Sequence, residues 1–409
     1  MRRTKSPWRA MPVCGKFKGV MQGPLFDHLE LTSEPFLYSE SSYAALSRSA
    51  QPAALHAREA LESWYADYPD PDGDLWARFR QSDPRQHYAA WWELYVYTLL
   101  RRLNFCVQVH PAIPGSSRRP DMLATRGDAR MFVECAVIFD SEDSAQVDSE
   151  AWLKDCINAS SSPDFGFSMR IEKAGRLRSS KTDITKQIEN WVATLDYDAM
   201  QDAASSGPVT SDEQTFIFAD WHVRLTAIRL EQRHRSYAGP RLLFGPVVAG
   251  FPGNSVEGFR RLLKKKATQC RGVQDPLVVA ILGQKLFARD QELDQALFGT
   301  EQLVYRLNED LTEAQFAQFV RQPDGFWYPR PPVRGGRISG VLFAEHLYVG
   351  SAASRLPTLW TNPWADNPLP EDLPFPTRTA SDRGDVLVES DASAKPHTVF
   401  HLPEGWPGH

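Results

Sequence analysis

The sequence lacks the features that mark several large classes of protein. No apolar run in its 409 residues approaches the ~20 residues of a membrane-spanning helix. The five cysteines are scattered and form no Cys-x-x-Cys pair, which argues against a zinc ribbon or a disulfide framework and is typical of a reducing compartment. The basic N-terminus is followed by no apolar segment of the signal-peptide kind. We therefore expect a cytoplasmic protein with no membrane partner.

Common catalytic motifs are also missing. The sequence has no Gly-x-x-x-x-Gly-Lys-Ser/Thr, so it contains no P-loop nucleotide motor, and it has neither His-Glu-x-x-His nor Gly-x-Ser-x-Gly. The ten histidines show no metal-ligand spacing, and we expect His110 and His222 to be structural. The net charge of −5 gives no overall attraction to nucleic acid, so any contact with it must come from a local basic surface.

Two apolar runs that each carry one carboxylate are the most informative part of the chain. Residues 119–125 (RPDMLAT) and 131–138 (MFVECAVI) flank a turn sequence, Gly-Asp, at 127–128. A two-residue hairpin turn there sets Asp121 directly opposite Glu134 across the ladder. Two like charges in that position repel, and a divalent cation between them is the usual remedy. The pattern therefore predicts a site for a hard metal ion.

The two carboxylates are not equally informative when each is taken alone. Asp121 follows Pro120, and this dipeptide begins a strand but is also common in turns. Glu134 lies within a run that is too apolar on both faces to be an edge strand. A buried glutamate of this kind needs a basic partner or a metal ion.

The helix predicted over residues 87–103 carries a third carboxylate, Glu93. Its wide apolar face includes Trp92, Val96 and Leu99, and Glu93 falls at the edge of that face instead of on the solvent side. One interpretation is a surface glutamate that pairs with a neighbouring arginine. The other is a carboxylate directed towards the same site as the two strand acids.

The helix predicted over residues 256–270 carries a lysine among its apolar residues. Lys266 falls in the middle of the apolar side, whereas Lys264 and Lys265 point away from it. The Lys266 side chain either snorkels past its apolar neighbours to reach water or directs its ammonium group at an anionic site.

This order of elements resembles the PD-(D/E)xK nuclease superfamily, whose members have the restriction-endonuclease-like fold. The resemblance covers about residues 87–139 and 254–283, and it rests on the order and predicted structure of the elements, because the motif letters alone are frequent by chance. It implies that Asp121 and Glu134 are catalytic ligands of Mg²⁺, which Mn²⁺ could replace, and that Glu93 completes the metal site.

The sequence departs from the family pattern at Ala136, where the family normally has its lysine. Some members carry that lysine on the following helix instead, which makes Lys266 the candidate for assisting the attacking water. Six basic residues adjoin the predicted site and are candidate contacts to nucleic acid, although charge runs are more often solvated faces: Arg118, Arg119, Arg260, Arg261, Lys264 and Lys265.

The resemblance implies a Mg²⁺-dependent nuclease that hydrolyses phosphodiester bonds in DNA, either as a monomer or as a homodimer. One alternative is an inactive nucleic-acid-binding or assembly protein with the same fold. Another is an unrelated α/β scaffold, in which Glu134 should have a direct arginine partner. If the protein is an active nuclease, the Lys266 ammonium should lie within about 6 Å of the Glu134 carboxylate. A lysine directed at bulk solvent favours an inactive protein.

The predicted fold is α/β, with a mixed central sheet in a restriction-endonuclease-like core. The core is interrupted by an inserted α/β region and followed by a Pro-rich C-terminal extension that begins with a short helix over residues 312–320. The predicted divisions are an N-terminal extension with helices (1–86), the first part of the core (87–139), the insertion (140–240), the second part of the core (241–300) and the C-terminal extension (301–409).

Overall fold

The computed structural model describes residues 23–113, 119–139, 143–198, 212–231, 240–248, 255–284, 289–307, 314–329, 334–381, 387–391 and 395–408. The α-helices among these residues are α1 (Ser42–Arg48), α2 (Pro52–Asp67), α3 (Asp74–Phe79), α4 (Pro84–Arg102), α5 (Ser144–Asn158), α6 (Lys181–Val192), α7 (Ser255–Gln269), α8 (Asp290–Phe298) and α9 (Pro396–Phe400), and Val349–Ser351 forms a 3₁₀ turn. The strands are β1 (Cys106–Val109), β2 (Met122–Arg126), β3 (Ala129–Phe139), β4 (Phe165–Lys173), β5 (Glu213–Phe218), β6 (Trp221–Arg229), β7 (Leu242–Val248), β8 (Leu277–Gln284), β9 (Glu301–Leu307), β10 (Ala314–Arg321), β11 (Gly340–Glu345), β12 (Thr358–Thr361), β13 (Thr377–Ala380) and β14 (Leu387–Ser390). Within these ranges no helix has the length and apolar character needed to cross a membrane.

The chain forms two compact units. The described residues within Met1–Leu29, Ala50–Ile138 and Ser255–His409 make up the larger unit, and those within Glu30–Ser49 and Phe139–Asn254 make up the smaller one. The interruption therefore ends later than the predicted boundary at 240, because β7 pairs with β4 inside the smaller unit.

The larger unit is built around an eight-stranded sheet in the order β1-β2-β3-β8-β11-β12-β13-β14. Strands β1, β2 and β3 are mutually antiparallel, whereas β8 and β11 are parallel, as are β12 and β13. The prediction of an α/β protein with a mixed central sheet is confirmed. The last four strands of this sheet come from residues after 339, so this part of the chain belongs to the sheet and is not appended to it.

Helices cover both faces of the main sheet. Helix α4 begins at the N-cap Asp83, whose side chain accepts from the Arg85 N–H, and the Trp92 Nε1–H donates to the Ala280 carbonyl of β8 at 2.9 Å. On the other face, Leu123 and Phe132 belong to the same core cluster as Phe259 and Leu263 of α7. Since alternate residues of a strand point to opposite faces, Asp121 and Glu134 face α7.

Within the segment predicted as a helix over residues 312–320, the described residues, from Ala314 onwards, belong to strand β10. It forms a separate two-stranded antiparallel sheet with β9, in which Ala317 pairs with Tyr305 and Arg321 with Glu301. The Glu-, Ala- and Gln-rich sequence favours a helix locally, but cross-strand pairing outweighs this weak preference.

The smaller unit contains a four-stranded sheet in the order β5-β6-β4-β7. One face of this sheet packs against α5 and α6, as the shared cluster of Phe167, Leu225, Ile157 and Ile188 shows. His222 lies in β6 opposite Ile217, and the unit carries none of the predicted catalytic residues.

Candidate active site

The β2–β3 hairpin has the predicted register. Its paired residues run from Arg126 opposite Ala129 to Met122 opposite Val133, and Gly127 takes a left-handed φ of 59° in the turn. The next pair in the same register is Asp121 and Glu134. The Cys135 N–H donates to Asp121 Oδ2 at 2.6 Å, which fixes the aspartate at the end of the ladder.

Lys266 reaches Glu134 from α7. Its Nζ lies 2.7 Å from Glu134 Oε1 and also donates to the Cys135 carbonyl at 2.9 Å. The exposed fractions of the two side chains are only 15% and 11%. Burial acts to lower the pKa of Lys266, but the charge of Glu134 and the hydrogen bond to it outweigh burial and raise that pKa. The lysine is therefore a charged ammonium group, well inside the 6 Å limit, and Glu134 has no arginine partner among the described residues.

The carboxylates at this site repel one another. Burial, followed by the charges of Glu134 and Glu93, raises the pKa of Asp121 from 3.8 to about 7, although Lys266 and the Cys135 N–H act in the opposite direction. Burial and the same three carboxylates raise the pKa of the Cys135 thiol well above its usual value. The predicted residues Glu93, Glu134 and Lys266 are thus all close enough to Asp121 to affect its pKa.

Glu93 is more buried than its predicted position at the edge of a helix face implies, with 4% of its surface exposed. The Tyr68 hydroxyl donates to its Oε1 at 2.5 Å, and the Arg78 guanidinium donates to its Oε2 at 2.8 Å. Both oxygens of Glu93 thus accept one hydrogen bond each, and its role in completing a metal site stays a prediction. It contributes negative charge next to Asp121.

Three residues close to these carboxylates were not predicted from the sequence to belong to the site. Tyr68 precedes a Pro- and Gly-rich break, Arg78 lies in the short helix α3, and His110 directly follows β1. The His110 N–H donates to the Asp121 carbonyl at 2.8 Å, and its Nε2 lies 3.8 Å from Glu93 Oε1. The sequence indicates Arg78 only indirectly. A buried glutamate generally requires a cationic partner, but this requirement does not identify which residue supplies it.

The six predicted contacts to nucleic acid fall into different environments. Arg118 lies outside the described residues, and Arg119 is exposed. Arg260 is 11% exposed and pairs with Asp324 at 3.0 Å, so it is a structural residue and not a free contact. The remaining three are exposed on the outer side of α7: Arg261, Lys264 and Lys265.

The donor set fits Mg²⁺ better than a metal that needs a full cage of protein ligands. Among the described residues, no group of three or more His, Cys, Asp or Glu side chains is arranged to hold a metal ion. Within the same residues, Asp121 Oδ1 and Glu134 Oε2 have no hydrogen-bond partner. Two carboxylate oxygens are sufficient for Mg²⁺, which keeps several waters and often takes its remaining ligands from substrate phosphates.

A cleft elsewhere in the larger unit has a volume of about 520 Å³. Helix α2, Arg102 and residues 400–408 line it, and His56 Nδ1 lies 2.7 Å from the Pro407 carbonyl across it. None of the predicted site residues lines this cleft. Charge, and not cavity volume, is therefore the property that distinguishes the candidate site.

No family model, no curated protein and no solved structure matches this chain. The candidate site consists of two opposed strand carboxylates, one ammonium group and one flanking glutamate.

Proposed function

We propose that this chain is a Mg²⁺-dependent nuclease that hydrolyses phosphodiester bonds in DNA. In this proposal α4, β1, β2, β3, α7 and β8 form a restriction-endonuclease-like core. The observation that carries the proposal is the pair Asp121 and Glu134, one position beyond the last paired residues of the β2–β3 ladder, with the Lys266 ammonium 2.7 Å from Glu134. Two carboxylates of one hairpin and an ammonium group from a distant helix meet there, although bringing the two buried carboxylates together costs electrostatic energy.

Asp121 and Glu134 are the residues that would hold the cation. When bound there, Mg²⁺ supplies positive charge beside the scissile phosphate and acidifies the attacking water. Each carboxylate contributes an oxygen without a hydrogen-bond partner among the described residues, Oδ1 of Asp121 and Oε2 of Glu134. Asp121 is held by the Cys135 N–H on its other oxygen, so its orientation is set before any ligand arrives.

Lys266 takes the role that the motif lysine has in the superfamily. Its ammonium group donates to Glu134 and to the Cys135 carbonyl, which places its charge at the strand carboxylates. A fixed positive charge at this point can orient the attacking water and offset the negative charge that develops on phosphorus oxygens. The small Ala136 side chain, on the same strand face as Glu134, leaves room for the long lysine stem.

Glu93 supports the site from α4 without needing to ligate the cation. Tyr68 and Arg78 hold it in place, and burial followed by the charge of Glu93 raises the pKa of the Tyr68 hydroxyl, which keeps this group a donor. The fixed negative charge of Glu93 strengthens the attraction of the Asp121 side of the site for a cation.

In this proposal the outer side of α7 binds the DNA. Arg261, Lys264 and Lys265 are exposed, and none of them pairs with an acidic residue among those described. Unpaired basic residues on one helix face contrast with the net charge of −5 of the whole chain. Such a face suits the phosphate backbone, with an affinity that falls as the salt concentration rises.

One observation favours a second candidate, an inactive DNA-binding protein with the same fold. The Lys266 ammonium is already engaged by Glu134 and by the Cys135 carbonyl, and the family's usual lysine position holds Ala136. A protein that uses Lys266 only as a counter-ion would bind DNA without cutting it.

A cleavage assay separates these functions. Supercoiled and linear DNA are incubated with Mg²⁺ and with the wild type, Asp121→Ala, Glu134→Ala or the control Asp275→Ala, which removes a carboxylate that pairs with Arg130 on β3 at 2.8 Å. We expect cleavage by the wild type and the control, and its loss in the two site variants. Equal cleavage by all four proteins would refute the proposal, and binding without cleavage by the wild type would favour the second candidate.

A further inference from the structure

His110 lies at the open side of the carboxylate cluster. Its backbone N–H donates to the Asp121 carbonyl at 2.8 Å, so the end of β1 and the start of β2 are held together at this residue. Its ring Nε2 lies 3.8 Å from Glu93 Oε1, and 44% of its side chain is exposed. The ring therefore borders both the buried acids and the solvent.

The backbone at His110 takes a conformation that is uncommon for residues other than glycine. His110 has a φ of 47°, in the left-handed region where a side chain is unfavourable and glycine is not. Glycine takes this conformation without that cost, so the fold should tolerate a His110→Gly substitution.

The His110 ring donates no hydrogen bond to any of the described residues. A distance of 3.8 Å to Glu93 is too long for a hydrogen bond, and both Glu93 oxygens are already engaged by Tyr68 and Arg78. Among the described residues, no other hydrogen-bond partner is found for this ring. By comparison, the Lys266 ammonium is already engaged by Glu134.

A phosphodiester that approaches Asp121 and Glu134 meets carboxylates of the same sign as its own charge. It therefore needs donors for its oxygens in addition to a cation. We propose that the His110 ring donates a hydrogen bond to a phosphate oxygen of the DNA strand bound at Asp121 and Glu134, an inference that rests on the proposed nuclease function. His110 is then a substrate-contacting residue, not the structural histidine expected from the sequence.

The chain provides a matched control in His346. It directly follows β11, has a φ of 46°, places Nε2 3.9 Å from Glu345 Oε1 and also has 44% of its side chain exposed. Its backbone N–H donates to the Gly283 carbonyl at 2.8 Å, as that of His110 does to Asp121. His346 therefore reproduces the local geometry of His110 at a position that we have not assigned to the site.

The test compares His110→Gly, His110→Gln and His346→Gly with the wild type. Both glycine variants relieve the same backbone strain, so we expect them to fold and to melt no lower than the wild type. Each protein is assayed for kcat and KM of DNA cleavage with Mg²⁺, and for the rise in melting temperature that Ca²⁺ produces without DNA.

We expect His110→Gly to lower kcat/KM by about 10- to 100-fold, the loss typical of one hydrogen bond to a charged group. His110→Gln, which can place an amide donor near the position of Nε2, should recover part of this loss, and His346→Gly should stay close to the wild type. The Ca²⁺-induced rise in melting temperature should be the same in all four proteins.

Three results would overturn the inference. The first is wild-type cleavage by His110→Gly while Asp121→Ala is inactive, which leaves the nuclease function intact and removes only the role of His110. The second is loss of the Ca²⁺ response in His110→Gly, which would make the ring a ligand of the cation. The third is absence of cleavage in the wild type, which would remove the nuclease proposal as well.

Discussion

Replacing Asp121 with asparagine should stabilise the cation-free protein and abolish its response to divalent cations. The asparagine side-chain oxygen can still accept the Cys135 N–H that Asp121 Oδ2 accepts at 2.6 Å, so the end of the ladder is retained. The repulsion from Glu134 and Glu93, which contributes to raising the pKa of Asp121 to about 7, disappears. Stability and cation binding therefore change in opposite directions.

The size of the effect follows from the pKa. A rise from 3.8 to about 7 corresponds to at most ~4 kcal/mol at neutral pH, since each pKa unit is about 1.4 kcal/mol. Asp121 is half-buried, so solvent screening reduces this, and we expect a gain of about 2 kcal/mol in the free energy of unfolding at pH 8.

The stability difference between the wild type and Asp121→Asn depends on pH in one direction. Between about pH 4 and pH 7 the folded chain binds a proton at Asp121 that the unfolded chain has already lost. The stability of the wild type therefore falls relative to Asp121→Asn as the pH rises through this window, and the difference stays constant above it. Below pH 4 the two proteins should differ little.

Thermal and chemical unfolding with and without Ca²⁺ measure these effects. A cation at 100 times its Kd adds about 2.7 kcal/mol to the stability of a protein that binds it only when folded. We expect this gain in the wild type and in the control Asp275→Asn, but not in Asp121→Asn. If Asp121→Asn is less stable than the wild type at pH 8, or responds equally to Ca²⁺, the carboxylates do not form a cation site.

Three further sets of substitutions test other parts of the site. Lys266→Met removes the ammonium group from the partly buried pair with Glu134, so unfolding measurements should show a loss of about 3 kcal/mol, most of which Glu134→Gln restores in the double variant. Lys264→Glu combined with Lys265→Glu should weaken DNA binding and flatten its dependence on salt, measured by fluorescence anisotropy, without changing the melting temperature by more than a degree or two. Tyr68→Phe removes the donor to the helix glutamate, so we expect a loss of about 1–2 kcal/mol on unfolding and reduced cleavage, whereas unchanged values for both would show that this hydrogen bond does not position the site.

The parts of the site that depend on local geometry could be predicted from the sequence. A two-residue turn at 127–128 fixes the register of the hairpin, so the opposition of Asp121 and Glu134 follows from their positions alone. The 3.6-residue period of α7 places Lys266 on the side that faces the sheet and Lys264 on the other. Both placements follow from the spacing of residues within one hairpin or one helix.

The parts that depend on distant pairing could not be predicted in the same way. The partners of Glu93 come from α3 and from the end of α2, which approach α4 only in the folded unit, so their contribution to its burial leaves no local pattern. The pairing of β7 with β4 and the addition of β11–β14 to the main sheet are also non-local. The expected boundaries at 240 and 300 assumed that neighbouring segments fold together. The helix expected over residues 312–320 was wrong because its propensity is weaker than the pairing of β10 with β9.

The charges at the end of the β2–β3 ladder differ from the structural ion pair that the same hairpin carries. The same strands show how this chain builds a structural ion pair, since Arg130 of β3 pairs with Asp275 at 2.8 Å and both side chains reach the solvent. At Asp121 and Glu134 the chain instead sets two acids opposite each other, with the Lys266 ammonium as the cation beside them, and adds Glu93, which pairs with Arg78. Apolar residues at these positions would remove the repulsion and fit the surrounding core, and replacements of this kind are often neutral or stabilising. An arrangement that lowers the stability of the free protein, but that a bound cation would relieve, is the pattern expected of a binding site.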